Sequence, residues 1–214
     1  MKLYGYFRSS AAYRVRIALN LKGLSYESIS VHLQKGGGQQ HAADYLKLNP
    51  TGLIPTLVDG QLNIAQSMAI LEYLEEVYPE PALLPSDAAG RARVRSIAQA
   101  IACDIHPLNN LRVLQYLKHE LNADEAARDA WYRHWIDRGL SAVEAMLAGH
   151  PSTGKFCHGD RVSLADVLMV PQVANARRFD CDLSKMPTIT RIVEECNALD
   201  AFARALPERQ PDAE

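Results

Sequence analysis

Three adjacent residues, Arg8, Ser9 and Ser10, stand where the apolar run "KLYGYF" gives way to an amphipathic stretch. They offer one cation and two hydroxyls at a single junction. Such a cluster suits two jobs. A serine at a helix start caps free N–H groups. The same N–H groups, with the partial positive charge of a helix N-terminus, also make a binding site for an anion. Other places repeat the ambiguity. Gln66-Ser67 follows a strand-like run and is either a plain strand end with a cap or a second anion site. Ile54-Pro55 reads as a loop proline, usually trans. "DIHPLNNLRVL" sets His106, Asn110 and Arg112 around Pro107, which interrupts an apolar helical pattern and suggests a kink. Arg177 and Arg178 close another helical stretch, where an arginine pair is most often solvated.

The composition narrows the function classes. Of 214 residues, 48% are hydrophobic, enough for a proper core, and the formal net charge of −2 gives no reason to expect nucleic acid or an acidic membrane as partner. No apolar stretch approaches the roughly 18 residues that span a bilayer, and Arg8 cuts short any secretory signal. Cys103, Cys157, Cys181 and Cys196 form neither a CxxC pair nor a zinc spacing, so reduced thiols in a cytoplasmic protein are expected.

The elements that must position these residues follow from periodicity. "KLYGYF" reads as a buried strand, and a helix is expected from Ser10 to Lys22, stopped by Gly23. Ile29, Val31 and Leu33 alternate with polar residues, as in a strand. "KGGGQQ" reads as flexible, and Ala42 to Leu48 as a short helix. Asp59-Gly60 splits "TLVDGQLNI" into a hairpin. Ile70, Leu71, Leu74 and Val77 then share one helical face, with Ser67 as cap. The order β-α-β-α-β-β-α makes a thioredoxin-like domain over residues 1–80. After a proline-rich linker, residues 88–214 read as all-helical: Val94, Ile97, Ile101, Ile105 and Leu108 recur at three- and four-residue spacing. Trp131 and Trp135 read as one packed face, and Ser163 with Asp166 as a capping box without catalytic duty.

This layout, with its motifs, resembles the zeta class of glutathione transferases. The resemblance rests on "RSSAAYRVRIALNLKGL", "NPTGLIPTL", "QSMAILEYLEE", "VSLADVLMVPQVANARRF" and the terminal "RQPD", in order along essentially the whole chain. It implies the glutathione transferase fold, a homodimer, and glutathione as cofactor for cis–trans isomerisation of a dicarboxylate of the maleylacetoacetate or maleylpyruvate type. A general transferase or α-haloacid dehalogenating enzyme is the alternative within the family. A binding module without catalysis is the alternative outside enzymology. The resemblance assigns the glutathione sulfur to Ser9, supported by Ser10. The cysteinyl unit falls to the main chain of Ile54 before a cis Pro55, the γ-glutamyl carboxylate to Gln66 and Ser67, and the glycyl end to Gln40. It places His106, Asn110 and Arg112 toward glutathione, and Arg8 and Arg178 toward the substrate. Ala11 departs from the pattern, because the eukaryotic motif carries cysteine there; glutathione must then supply the thiol.

Overall fold

The computed structural model describes all 214 residues. Its first compact unit comprises Met1–Leu83 together with Ala198–Glu214. Within it, β1 (Lys2–Gly5), α1 (Ser10–Leu21), β2 (Glu27–Ser30), α2 (Ala43–Leu48), β3 (Thr56–Asp59), β4 (Leu62–Ala65) and α3 (Ser67–Val77) follow the expected order. The sheet runs β2-β1-β3-β4, with β1 parallel to β2 and antiparallel to β3. Asp59 pairs with Leu62 across the hairpin, and Gly60 takes the positive φ of 58° that the tight turn requires.

Register fixes what lies at each end of this sheet. Tyr4 pairs with Thr56, Thr56 with Ala65, and Gly5 with Ser30. The end where β1 exits is therefore also where β2 exits, β3 begins and β4 finishes. The segments after Gly5, after Ser30, before Thr56 and after Ala65 all start from that edge.

Several expectations shift. "KGGGQQ" and the next residue form two short 3-10 turns, Lys35–Gly37 and Gln39–His41. Ser67 is the first helical residue of α3 rather than its cap; Gln66 holds the cap position, with φ 70° and no side-chain capping bond. Val77 is 49% exposed, because the helix ends there, while Ile70, Leu71 and Leu74 are fully buried. Residues 198–214 group with the first unit, not with the helices that precede them. The cause is α9 (Asp200–Ala205), which packs on α1, where Asn20 donates to the Ala201 carbonyl at 2.9 Å and Arg16 to that of Ala205 at 3.1 Å.

The second unit, Leu84–Asn197, is helical: α4 (Ala88–Gln99), α5 (Leu111–His119), α6 (Glu125–Leu147), α7 (Leu164–Arg178) and α8 (Pro187–Asn197). The helix α7 packs against α4 and α8 and is buried at every position from Leu164 to Val173. Asp166 accepts the Ser163 N–H and hydroxyl and the Cys157 N–H, a folding role as expected. Trp131 and Trp135 pair edge-on at 5.6 Å. Past α4 the chain widens into a π-helical turn over 100–105, then tightens at Pro107 into a 3-10 turn, His106–Asn109. Gly139 of α6 lets this segment approach, since a Cβ there would collide with Ile105.

One buried ion pair closes the first unit. Lys22, at the end of α1, donates to Glu75 at 2.9 Å and to the carbonyls of Tyr78 and Pro81, and Glu75 also accepts the Leu83 N–H. Glu75→Ala strips the carboxylate from a fully buried ammonium, which typically costs about 3–5 kcal/mol. Denaturant unfolding should show that loss, with much of it recovered in Lys22→Met/Glu75→Leu. A loss under about 1 kcal/mol, the range of an exposed pair, would contradict this account.

Candidate active site

The junction between β1 and α1 is a short turn in which the Ser9 N–H donates to the Tyr6 carbonyl at 2.9 Å. Ser9 is the N-cap: its Oγ accepts the Ala12 N–H at 3.2 Å, and its backbone is extended. A hydroxyl carries two lone pairs and one proton, so capping with a lone pair leaves the O–H able to donate to a ligand. Ser9 is half-buried, Ser10 buried and Arg8 exposed, its guanidinium lying 4.9 Å from the Phe7 ring centre. Capping and donation to an anion are therefore compatible on one residue.

The other first-unit candidates issue from the same end of the sheet. Ile54-Pro55 is a cis peptide immediately before β3. The preceding loop is pinned through one carbonyl: Leu53 O accepts from the Tyr45 hydroxyl at 2.6 Å and from the Asn49 amide at 2.7 Å. Gln66 occupies a left-handed φ of 70°, which costs a non-glycine residue roughly 1–3 kcal/mol and commonly marks a ligand-binding position. Beside it, Ser67 accepts a hydrogen bond from the buried Arg14 guanidinium at 3.1 Å, which brings a fixed positive charge to the start of α3. Gln40 is buried with its Oε1 unpartnered within the chain. This donor set fits glutathione: a hydroxyl and a helix N-terminus for a sulfur anion, a second helix N-terminus with a cation behind it for a carboxylate, and a buried carboxamide for a polar end group.

In the helical unit, Asn110 caps α5 by accepting the Arg112 N–H at 3.1 Å, which leaves its amide N–H groups to donate. His106 is half-buried in the 3-10 turn, and Arg112 is exposed. Arg178 ends α7, where a helix dipole favours a cation, and stacks 5.1 Å from the Phe179 ring. That ring stacks on Tyr132 at 3.6 Å. Burial pushes the Tyr132 phenol up, and the charge and hydrogen bond of Arg178 oppose it. Both arginines are exposed, and Arg178 lies against the aromatic pair.

The thiols of the chain offer no substitute nucleophile at the junction. Burial pushes Cys157, Cys181 and Cys196 up, away from the thiolate form, and Cys103 is exposed in the helical unit. No group of three or more histidine, cysteine or carboxylate side chains is arranged to hold a metal ion. No helix is long and apolar enough to cross a membrane.

Sequence reasoning missed the buried support of the site. Arg14 and Arg16 are 1% and 3% exposed, although arginines in a helix usually face solvent. Arg16 donates to the carbonyls of Phe7 and Tyr6 as well as to Ala205, and burial lowers its pKa to about 10. The only sequence signal was their place, among small and branched apolar residues that fill the rest of the helix.

Comparison with known proteins gives the family. The glutathione S-transferase N-terminal domain matches residues 1–76, and the C-terminal domain matches residues 110–200. A probable maleylacetoacetate isomerase of Vibrio cholerae is 55% identical over 99% of this chain and 97% of its own length. The holo structure of a maleylpyruvate isomerase, a bacterial zeta-class glutathione S-transferase, superposes with a TM-score of 0.97 at 50% identity, covering all of both chains. A maleylacetoacetate isomerase from Methylobacterium extorquens AM1, solved with malonate and glutathione bound, gives 0.96 at 44% identity, again over all of both chains. This chain belongs to the glutathione S-transferase family, in the zeta-class branch that holds the maleylacetoacetate and maleylpyruvate isomerases.

Proposed function

We propose that the chain is a glutathione-dependent cis–trans isomerase that converts maleylacetoacetate to fumarylacetoacetate in aromatic catabolism, working as a cytoplasmic homodimer. The observation that carries this reading is the convergence of Ser9, Ile54, Gln66 and Ser67 on one end of a sheet, with a hydroxyl at the N-terminus of α1 and no cysteine beside it. Maleylpyruvate is the second reading of the same chemistry, favoured by the likeness to the maleylpyruvate isomerase.

Bound glutathione supplies a thiolate that adds reversibly to a conjugated double bond, so that the bond can turn and the tripeptide is returned. The chain's own residues do the rest. Ser9 donates its hydroxyl proton to the sulfur while its lone pair caps α1, and Ser10 supports it. Gln66, Ser67 and the N-terminus of α3 take the γ-glutamyl carboxylate, with Arg14 behind Ser67. The main chain of Ile54 takes the cysteinyl unit, and Gln40 the glycyl end. In the helical, substrate-binding unit, His106, Asn110 and Arg112 serve glutathione. Arg178 serves a substrate carboxylate, as Arg8 does from the first unit; a planar guanidinium matches a carboxylate with two parallel hydrogen bonds. The exposed Leu62 and Val77 of the first unit, with Tyr116 and Leu121 of the second, give each unit apolar surface for a partner subunit. Sedimentation should accordingly give the mass of two chains at micromolar concentration; a single-chain mass would remove the dimer.

Two further outcomes test the chemistry. A hydrogen bond to a charged group contributes roughly 1.5–3 kcal/mol, so Ser9→Ala should raise the pKa of the bound thiol by about 1–2 units, read from the ultraviolet absorbance of the thiolate. Affinity for glutathione should change little, and an unaltered thiolate titration would return Ser9 to the role of cap alone. Arg8→Met and Arg178→Met each leave a substrate carboxylate unpaired, a loss of about 2–5 kcal/mol. At about 1.4 kcal/mol per decade, kcat/KM for the dicarboxylate should fall about 30-fold or more. Conjugation of an uncharged electrophile should hold; equal losses on both substrates would show that the arginines support the fold or glutathione instead.

A further inference from the structure

The segment Arg209-Gln210-Pro211-Asp212 takes no part in the site as assigned, yet it reaches the turn that carries Ser9. The Asp212 carboxylate oxygen Oδ2 accepts the Phe7 N–H at 3.1 Å and the Ser30 hydroxyl at 3.0 Å. Both donors lie at the site end of the sheet, since Ser30 pairs with Gly5 and Phe7 is two residues beyond it. Arg16 grips the same stretch through its carbonyls, with Nη2 on Phe7 O at 3.1 Å and Nη1 on Tyr6 O at 3.5 Å. The Tyr6 carbonyl also receives the Ser9 N–H. The carbonyl of Tyr6, the N–H of Phe7 and the carbonyl of Phe7 are therefore all engaged, and only the Phe7 N–H depends on Asp212.

Asp212 is itself held in place. Gln210 donates to the carbonyls of Arg204 and Leu206 at 3.0 and 2.8 Å, and the Ala213 N–H donates to Gln210 O. Beyond it Glu214 pairs with Lys35 and approaches His32 Nε2 at 3.3 Å. A peptide plane fixed at Phe7 leaves few soft torsions before the Ser9 side chain, so its orientation passes on to the hydroxyl. We infer that Asp212 is a positioning residue for Ser9, holding the Phe7 peptide so that the α1 N-terminus and the serine hydroxyl share one target. The inference rests on the thiolate-binding role proposed for Ser9.

The contribution is geometric and not electrostatic. A carboxylate close to a thiolate disfavours the thiolate, so charge alone would work against the site. The neutral isostere asparagine keeps an acceptor for the Phe7 N–H and should preserve function where alanine does not.

The experiment uses the full chain with four single changes: Asp212→Ala, Asp212→Asn, Ser30→Ala and Ser9→Ala. Amide hydrogen exchange at Phe7 and Ser9 is read on the protein without glutathione, and the bound-thiolate absorbance is titrated against pH with glutathione added. Asp212→Ala should speed exchange at both amides and raise the bound-thiol pKa by about one unit, with affinity for glutathione within about twofold of the parent. Asp212→Asn and Ser30→Ala, which keep an acceptor at the Phe7 N–H, should titrate like the parent. If Asp212→Ala titrates like the parent while Ser9→Ala is shifted, the positioning role is overturned and the role of Ser9 survives. Equal shifts in the Ala and Asn variants would also overturn it, because charge would then be the cause. A parent-like titration in Ser9→Ala overturns both.

Discussion

The register of one mixed sheet governs this site. Because β1 runs parallel to β2 and antiparallel to β3, while β3 turns back into β4, four chain segments reach the same edge. They carry Ser9, the loop with Gln40, Ile54-Pro55, and Gln66-Ser67. No single segment makes a binding site. A one-residue slip in any pair would turn alternate side chains to the opposite face and move these contacts apart.

Helix α1 transmits that arrangement through three buried cations, an unusual load for twelve residues and their cap. Arg14 supports Ser67, Arg16 holds the turn before Ser9 and the end of α9, and Lys22 joins Glu75 with the carbonyls that follow α3. Burying a charge is costly unless hydrogen bonds replace its water, and the contacts of Arg16 and Lys22 supply that replacement. The cations therefore bind parts of the unit that hydrophobic packing alone would not orient. Arg16 also accounts for residues 198–214, distant in sequence, grouping with the first unit.

The chemistry divides along the same lines. The first unit provides what a sulfur anion and a tripeptide need: helix N-termini, a hydroxyl and polar edges. The second provides the aromatic cluster of Tyr132 and Phe179 that carries Arg178. Of its thiols, Cys103 is exposed, and burial raises Cys157, Cys196 and the half-buried Cys181 away from the thiolate form.

The order of elements was legible in the sequence because it is local. Alternation over Ile29 to Leu33, the Asp59-Gly60 turn and the spacing of Ile70, Leu71 and Leu74 each act within a few residues. Ser9 and Ser10 at a helix start announced both a cap and an anion site, and both jobs fit the observed geometry. Local signals missed some details of caps and turns, and failed outright where a distant partner decided the outcome. Gln66, not Ser67, took the cap position of α3, and glycine-rich residues 35–41 form two 3-10 turns, with Gln39 accepting the His32 N–H. Arg14 and Arg16 are residue types that usually face solvent, and only tertiary packing supplied the partners that bury them. Nor does the motif Arg209-Gln210-Pro211-Asp212 say which peptide its aspartate will hold. A side chain's partner across 205 residues depends on how helices and sheet stack, and that stacking is a property of the folded chain rather than of any window within it.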